Sequence, residues 1–321
     1  MVNLGTLHGR RAAIIYNPVA RGLARHLHLL QRTIGLLADQ GIEATLIATS
    51  APGTAGGQAR RQIEAGCNLI VAAGGDGTIN EIVDGMLHTD VPLAILPGGT
   101  ANVLAREMHL PIHIARAAAQ ISQLKPCRIA IGSGTAGDAS PRSFVCMAGA
   151  GLDAEIVYRL NLDLKAVAGK FAYYVGGFSQ VFRPIYEFEV IVDGKRYESS
   201  FALISRVRNY GGDLEIARGA SLLRDEFDIV LFRGTVSVRY LAYLVGVATK
   251  QAHRMKGCTV LRGRSVVCRP QHNHDVYVQL DGELAGKLPL KAELLPDALT
   301  LLVPSAYLAR EQSLASAAAY A

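Results

Sequence analysis

Three glycine-rich turns carry residue types that suit the binding of a phosphate group. They occupy residues 17–22 (NPVARG), 74–78 (GGDGT) and 97–102 (PGGTAN). Glycine lets the backbone approach a phosphate closely, and the N–H groups of such a turn attract anions together with a following helix. One such turn alone would be a tight connection, but three that also carry Asp, Thr or Asn favour a nucleotide site. No Lys follows Gly77 or Gly99, so neither the Walker A pattern nor the dinucleotide fingerprint fits.

Acidic residues elsewhere in the chain could supply a base. Asp281 and Glu283 lie two apart, so on a strand both side chains would face one way. Two carboxylates held together raise at least one pKa, which suits a group that takes a proton from a hydroxyl. The alternative is an ordinary charged hairpin turn. Asp76 also has a simple interpretation, as a cap for the helix that follows, and this does not exclude a catalytic role.

The elements that must position the glycine turns alternate between strand and helix. Apolar runs predict strands at residues 12–16, 45–48, 68–73 and 92–96, and apolar spacings of three and four predict helices at residues 24–40, 54–65 and 79–86. This alternation predicts a parallel sheet with helices on both faces. Ligands bind at the carboxyl ends of the strands in such sheets, which is where the three turns fall.

After about residue 125 the pattern changes to short strands separated by turn signals. Strands are predicted at residues 128–131, 144–148, 186–192, 199–205, 227–233, 259–261, 265–269 and 276–280, with a polar hairpin loop at 132–143 and helices at 154–182 and 238–253. Many short strands of this kind predict a β-sandwich. A last strand at residues 298–303 could belong to either domain.

The composition limits the classes of protein and of partner. The 321 residues are 50% hydrophobic and 19% charged, which is enough apolar material for about two domains. The net charge of +6 favours anionic partners such as phosphates or a lipid surface, whereas the absence of Trp and of an Arg-rich tract argues against nucleic acid. Five cysteines without a CxxC pair indicate reduced thiols in a cytoplasm and argue against zinc. No signal peptide or membrane-spanning run is expected.

The glycine turns also resemble a known family. Residues 74–81 (GGDGTINE) and 97–102 (PGGTAN) resemble the diacylglycerol kinase catalytic domain, whose superfamily includes sphingosine kinases and bacterial lipid kinases. The resemblance covers nearly the whole chain and continues at residues 149–154 (GAGLDA), 210–212 (YGG), 220–228 and 281–283 (DGE).

This resemblance implies a fold and a set of site residues. The fold is an N-terminal phosphofructokinase-like three-layer α/β domain at residues 1–125 and a C-terminal β-sandwich at 126–295, with ATP between them and a strand near 296–306 returning to the first domain. Glu283 takes the place of the proton acceptor, with Asp281 and Asp76 as further catalytic residues. The implied nucleotide contacts are Asn17, Pro18, Arg21, Thr49, Gly74, Gly75, Asp76, Gly77, Thr78, Ile79, Asn80, Gly99, Thr100 and Asn102.

The family also has a structural Mg²⁺, bound by an Asp and nearby backbone carbonyl groups. By position these are Asp225 and the carbonyls of Leu222 and Phe227. The chain departs from the family at two places. Residues 20–22 (ARG) replace a Ser-Gly, so that Arg21 would contact phosphate instead of a hydroxyl, and Asp225-Glu226 replaces Asp-Gly.

Two further segments invite a functional interpretation but have a simpler one. Residues 272–275 (HNHD) could be a metal tract, but no third well-spaced ligand is evident, so a polar turn is the better account. The aromatic residues at 171–182, flanked by Lys and Arg, could touch a bilayer as an amphipathic helix. Core packing is the favoured interpretation of this run.

Together these features indicate an ATP- and Mg²⁺-dependent lipid kinase that acts on a hydroxyl of a diacylglycerol-like or sphingoid lipid. We expect a cytoplasmic protein that associates peripherally with a membrane, where it meets its lipid substrate, and that binds no nucleic acid. A homodimer is left open. The alternatives are a NAD kinase, which shares the GGDGT core, and a nucleotide- or lipid-binding regulator without catalysis.

Overall fold

The structure is a computed structural model, and it describes residues 7, 9–19, 27–152, 154, 185–210, 214–249, 251–272 and 274–319. Contacts within the chain divide it into two units. Unit 1 comprises Met1–Ala130 and Asp297–Ala321, and unit 2 comprises Ile131–Pro296. The limits predicted from the sequence were 1–125 and 126–295, with a strand near 296–306 returning to the first domain.

Unit 1 is built on a parallel sheet. Its elements before residue 125 are β1 (Arg11–Tyr16), α1 (Leu27–Ala38), β2 (Glu43–Ala48), α2 (Ala55–Glu64), β3 (Leu69–Gly74), α3 (Asp76–Met86), β4 (Leu93–Pro97), α4 (Val103–Glu107) and α5 (Ile114–Ala118). The strands lie in the order β2-β1-β3-β4, and all of these pairs are parallel. Every residue of β3 and β4 is buried, as expected for central strands covered by helices.

Two helices of unit 1 approach each other through glycines. A Cβ atom added at Gly85 of α3 would lie 2.1 Å from the carbonyl oxygen of Gly56 in α2. A Cβ atom at Gly56 would lie 2.4 Å from the carbonyl oxygen of Glu81. Only residues without a side chain fit at this contact, which fixes α3 and hence the turn that precedes it.

Unit 2 consists mainly of antiparallel strands. The remaining strands are β5 (Lys125–Ala136), β6 (Arg142–Phe144), β7 (Met147–Gly151), β8 (Phe188–Val192), β9 (Lys195–Ser199), β10 (Phe201–Ser205), β11 (Asn209–Tyr210), β12 (Leu214–Glu215), β13 (Phe227–Phe232), β14 (Cys258–Gly263), β15 (Ser265–Pro270), β16 (Tyr277–Leu280), β17 (Glu283–Lys287) and β18 (Leu290–Val303). The helices are α6 (Ser237–Ala248) and α7 (Ser305–Ala319), the latter in unit 1.

Most strands of unit 2 form two sheets around one core, and β11 and β12 pair separately. One sheet has the order β14-β13-β10-β7-β16-β17, and β9-β8-β15 with the first part of β18 form the other. Apolar side chains from both sheets, among them Phe144, Phe188 and Phe227, are fully buried in one cluster. The predicted combination of an α/β domain with a β-sandwich is therefore confirmed.

The last strand, β18, continues from unit 2 into unit 1. Its residues Leu290 to Glu293 pair with β15, whereas Leu301 pairs in parallel with Leu93 of β4. Unit 1 thus contains two separate stretches of the chain.

Several local predictions are corrected by the structure. The loop predicted at 132–143 is largely strand, because Gly132, Ser133 and Gly134 of β5 pair with Phe144, Ser143 and Arg142 of β6. The strand predicted at 199–205 is divided between β9 and β10, since Ser200 lies in neither. Most of the helix predicted at 154–182, including the aromatic run, lies outside the described residues.

Among the described helices, none combines the length and the apolar character that a membrane span requires.

Candidate functional site

The carboxyl ends of four parallel strands bring the predicted nucleotide contacts to one edge of unit 1. Because Tyr16 at the end of β1 pairs with Ala48 of β2 and with Ala73 of β3, the next residues Thr49, Asn17 and Gly74 follow one another along this edge. Gly74 and Pro97 are partners in the β3–β4 pair, so the turn after β4 continues the same row. The N–H of Thr49 donates to the carbonyl of Tyr16 at 2.8 Å, which ties the first two positions together.

The turns after β3 and β4 touch through their glycines. A Cβ atom at Gly99 would lie 2.5 Å from the Cα of Gly75, and a Cβ atom at Gly75 would lie 3.2 Å from the Cα of Gly99. In addition, the N–H of Gly98 donates to the carbonyl of Gly74 at 2.8 Å. The two bends therefore share one surface from which side chains are excluded.

Asn102 closes the turn after β4. It is buried, it adopts a left-handed backbone conformation with φ 49°, and it immediately precedes α4. Its Oδ1 accepts from the N–H of Gly99 at 2.8 Å, and its Nδ2 donates to the carbonyl of Gly99 at 2.9 Å. The amide of Asn102 thus holds the shape of the turn, while Thr100 at its tip is exposed.

Asp76 begins α3 directly after Gly75, which caps the helix with an extended backbone. The Asp76 side chain accepts a 3.4 Å hydrogen bond from the N–H of Leu104 in α4. Burial raises the pKa of the Asp76 carboxyl, and nearby backbone N–H groups, that of Leu104 first, oppose this. The helix dipole favours a carboxylate in the first turn of α3. The hydrogen bond from the N–H of Leu104 also joins Asp76 to the first turn of α4.

The other predicted contacts in the GGDGTIN segment divide by burial. Gly77 and Thr78 are half-buried, whereas Ile79 and Asn80 are buried. A Cβ atom at Gly74 would lie 2.8 Å from the Cβ of Thr78, so a glycine is also required at the end of β3.

The turn after β1 is described only in part. Asn17 is half-buried and its Oδ1 accepts from the N–H of Val19 at 3.0 Å, and Pro18 is exposed. Arg21 lies outside the described residues.

Glu81, the last residue of the octet, has a role that sequence reasoning missed. Its Oε1 accepts from the N–H of Gly53 at 2.8 Å and its Oε2 from the N–H of Ala55 at 3.1 Å, at the start of α2. Glu81 therefore caps α2 from the neighbouring helix α3. The glycines at positions 56 and 85 could have indicated the contact between α2 and α3 from the sequence, because small residues on two helices allow such close approach.

In unit 2, Asp281 lies in a tight turn between β16 and β17. Both Asp281 and Gly282 have positive φ, at 48° and 81°. The Asp281 carboxylate accepts three backbone hydrogen bonds: from Val145 at 2.7 Å, from Cys146 at 2.9 Å and from Met147 at 2.8 Å. These contacts give Asp281 a clear structural role, which is to hold the bend between β6 and β7.

Glu283 is the first residue of β17, after the turn. The premise that Asp281 and Glu283 share a strand is therefore wrong, and the hairpin alternative is the correct local structure. Glu283 forms an ion pair with Arg142 of β6, with 3.0 Å between Oε2 and Nη2, and its side chain is 54% exposed. Unlike Asp281, it presents its carboxylate to solvent.

The loop of the predicted Mg²⁺ site at Leu222, Asp225 and Phe227 is in contact with an arginine side chain. The carbonyl of Leu222 accepts a 2.7 Å hydrogen bond from Nη2 of Arg206, and the side chain of Asp225 is exposed. Phe227 is the first residue of β13 and pairs with Gly263. A guanidinium cation occupies this loop, so the residues present do not fit the predicted ion.

The residues 272–275 also provide no metal centre among the residues that the structure describes. No group of three His, Cys, Asp or Glu there is placed to hold a metal ion. Instead His274 stacks on Tyr186 with ring centroids 4.0 Å apart, and Asp275 pairs with Lys287 at 2.5 Å. Asn273 lies outside the described residues.

Comparison with known proteins places these features in a family. The diacylglycerol kinase catalytic domain matches residues 11–133, and the YegS C-terminal NAD kinase beta sandwich-like domain matches residues 146–303. A diacylglycerol kinase from Bacillus subtilis (strain 168) is 30% identical over 291 residues, which cover 87% of this chain and 92% of the relative. A diacylglycerol kinase from Staphylococcus saprophyticus is 28% identical over 289 residues, or 87% of this chain and 91% of the relative.

Solved structures show the same fold. A crystal structure of a diacylglycerol kinase from Bacillus anthracis str. Sterne is 22% identical, covers 92% of this chain and 98% of its own, and gives a TM-score of 0.70. A second crystal structure from the same strain, also 22% identical, covers 96% and 99% with a TM-score of 0.77. With both domains matched in order and 30% identity over most of the chain, the protein belongs to the diacylglycerol kinase family of lipid kinases.

Proposed function

We propose that this lipid kinase transfers the γ-phosphoryl group of ATP to a hydroxyl group of a diacylglycerol-like or sphingoid lipid. The observation that carries the proposal is the contact between Gly75 and Gly99 at the carboxyl edge of the parallel sheet. The curated relatives from Bacillus subtilis and Staphylococcus saprophyticus, which bear the name diacylglycerol kinase, support the choice of lipid.

The glycine bends suit a polyphosphate because Gly75 and Gly99 carry no side chain where the two turns meet. The missing side chains of Gly75 and Gly99 would let phosphate oxygens approach main-chain N–H groups, and α3 begins directly after Gly75. Asn102 and the Gly98–Gly74 hydrogen bond fix the two bends relative to each other. A cradle that is already shaped loses little conformational freedom when the nucleotide binds.

Phosphoryl transfer depends on positioning and on neutralisation of charge more than on covalent chemistry. A Mg²⁺ ion bound to the phosphate oxygens of ATP would neutralise part of the charge on the transferred group. The two glycine bends would hold the phosphate groups of ATP, and groups too bulky for these bends would be excluded.

Glu283 would serve as the general base for the lipid hydroxyl. An exposed carboxylate can reach an incoming hydroxyl and accept its proton as the oxygen attacks phosphorus. Asp281 has its oxygens engaged by backbone N–H groups, so it would support the hairpin that carries Glu283. Arg142 would hold the Glu283 side chain in place through their ion pair.

An assay with γ-labelled ATP tests this function directly. Purified protein is incubated with a panel of acceptors in mixed micelles, consisting of diacylglycerol, a sphingoid base, ceramide and, without detergent, NAD. We expect label in a lipid phosphate. Label on NAD alone would overturn the lipid assignment, and ATP binding without any labelled product would favour a regulator that lacks catalysis.

The acceptor also implies a place of action. A diacylglycerol-like lipid stays in a membrane, so we propose that the protein meets it at the cytoplasmic surface, where the net charge of +6 favours anionic lipids. Sedimentation with phosphatidylglycerol vesicles should carry the protein down at low salt, and phosphatidylcholine vesicles should carry much less. Equal sedimentation with both would argue against charge-assisted binding.

A further inference from the structure

The loop that follows residue 220 in unit 2 is organised around a buried arginine. Arg206 comes directly after β10, and it is among the largest side chains in the described residues that have no exposed surface. Its backbone N–H donates to the carbonyl of Cys146 at 2.8 Å, so its position is fixed by the sheet. Its guanidinium group points into the loop of residues 221–226.

The carbonyl groups of every second residue in this loop, at positions 222, 224 and 226, converge on that guanidinium. Nη2 of Arg206 donates to the carbonyl of Leu222 at 2.7 Å, and Nη1 donates to that of Glu226 at 3.1 Å. Nη1 also contacts the carbonyl of Arg224. Carbonyl oxygens directed at one point are the donor set expected around a cation, and here the cation belongs to a side chain.

Other arginines surround the same loop. Nε of Arg264 donates to the carbonyl of Asp225 at 2.9 Å, and Nη1 of Arg224 donates to that of Gly219 at 2.8 Å. Buried Asp228 lies near Arg224, at 3.6 Å, and near Arg262, at 3.3 Å. A divalent cation that entered this loop would therefore meet positive charge as well as carbonyl groups that are already engaged.

We propose that the guanidinium of Arg206 takes the place of the structural Mg²⁺ and that this loop binds no metal ion. Guanidinium remains charged at any pH at which the protein is folded, and it cannot dissociate from the chain. The β-sandwich then keeps its loop in the presence of a chelator. Any requirement for Mg²⁺ in the kinase reaction would come from the nucleotide alone.

The first experiment uses the full chain without nucleotide, so its outcome does not depend on the proposed function. Binding of Mn²⁺, as a paramagnetic probe for Mg²⁺, is titrated by electron paramagnetic resonance for the wild type and for Asp225→Asn. Absence of tight binding, or binding that Asp225→Asn leaves unchanged, supports the proposal. Binding of one Mn²⁺ per chain that Asp225→Asn removes would overturn it.

The second experiment removes the guanidinium. Arg206→Gln should lower the Tm by roughly 10 °C, because several carbonyl groups lose a charged donor in the interior. Arg196→Gln is the matched control, since Arg196 is 74% exposed and pairs only across the surface with Glu189, among its described contacts. Its Tm should change by no more than about 2 °C. Equal Tm values for Arg206→Gln and the control would contradict the proposal.

A third measurement needs no variant and therefore stands even if Arg206→Gln fails to fold. The Tm of the wild type is compared in EDTA and in excess MgCl₂. We expect the two values to agree within about 1 °C, because an ion that does not bind the folded state cannot stabilise it. A clear increase in Tm with MgCl₂ that Asp225→Asn abolishes would be incompatible with a metal-free loop.

Discussion

The carboxyl edge of the sheet in unit 1, with Gly75 and Gly99, differs from the β16–β17 hairpin of unit 2 in how its residues act. At the edge, Gly75 and Gly99 act by having no side chain, and the neighbouring polar groups of Asn102 and Asp76 shape the backbone around them. At the hairpin, two carboxylates two residues apart have different tasks: Asp281 binds three backbone N–H groups, and Glu283 is exposed. Residues within one short motif can therefore differ completely in function.

The largest effect that separates these tasks is expected for Glu283→Gln. Turnover should fall about 10²–10⁴-fold, the usual range for loss of a general base. The free energy of unfolding should change by less than about 1 kcal/mol, because only an exposed ion pair with Arg142 is lost. Steady-state kinetics and urea unfolding test the two parts. Near-normal turnover would remove Glu283 from the base role.

Asp281→Asn should reverse this pattern. Asn tolerates the positive φ of this turn but provides one neutral acceptor in place of a carboxylate, so the free energy of unfolding should fall by about 2–4 kcal/mol. Below the unfolding transition, turnover should fall less than in Glu283→Gln. Urea unfolding and kinetics at a low temperature measure both. Unchanged stability with lost turnover would instead assign Asp281 to the chemistry.

At the glycine edge, Gly99→Ala should weaken ATP binding and destabilise the fold by about 1–3 kcal/mol, because the new methyl group meets the backbone of Gly75. Isothermal titration calorimetry measures the ATP affinity. Gly57→Ala is a matched control, since Gly57 lies in α2 with open space around it, and Ala there should stabilise the helix by about 0.5–1 kcal/mol. ATP affinity that Gly99→Ala leaves intact would argue against the cradle.

The smallest effect is expected for Asp76→Asn, and it depends on pH. Burial raises the pKa of the Asp76 carboxyl above its ordinary value of 3.8, so its ionised form is less favourable in the folded than in the unfolded chain. The contribution of the Asp76 carboxyl to the free energy of unfolding therefore decreases as the pH rises through its pKa in the folded state. Asp76→Asn should be the more stable protein at pH 7, with an advantage that shrinks towards pH 4. An advantage that does not vary with pH would mean that burial of charge is not its cause.

The sequence predicted the strands of unit 1 well because their burial leaves continuous apolar runs, such as residues 12–16 within β1 and 68–73 around β3. It placed the start of α3 at residue 79, three residues late, because the first turn of that helix contains Asp76, Gly77 and Thr78 and has no apolar periodicity. The glycine-rich turns correctly indicated where strands β1, β3 and β4 end.

The parts that could not be predicted depend on tertiary contacts. Nothing in the local sequence indicates that Glu81 caps another helix or that Asp281 binds a bend more than a hundred residues away. Arg206 is the clearest case, because an arginine within an apolar stretch is expected to reach water. Its burial becomes understandable only when the carbonyl groups of residues 222, 224 and 226 are seen around it.

The path of β18 has a consequence for the synthesis of the protein. Strand β4 pairs with residues near Leu301, which leave the ribosome more than two hundred residues after β4 itself. Until then, the edge of β4 that Leu301 later joins lacks this partner, and a nascent or truncated chain ending at Ala130 would expose hydrogen-bonding groups that invite aggregation. The glycine-lined unit 1 is therefore completed only after the whole of unit 2 has been translated.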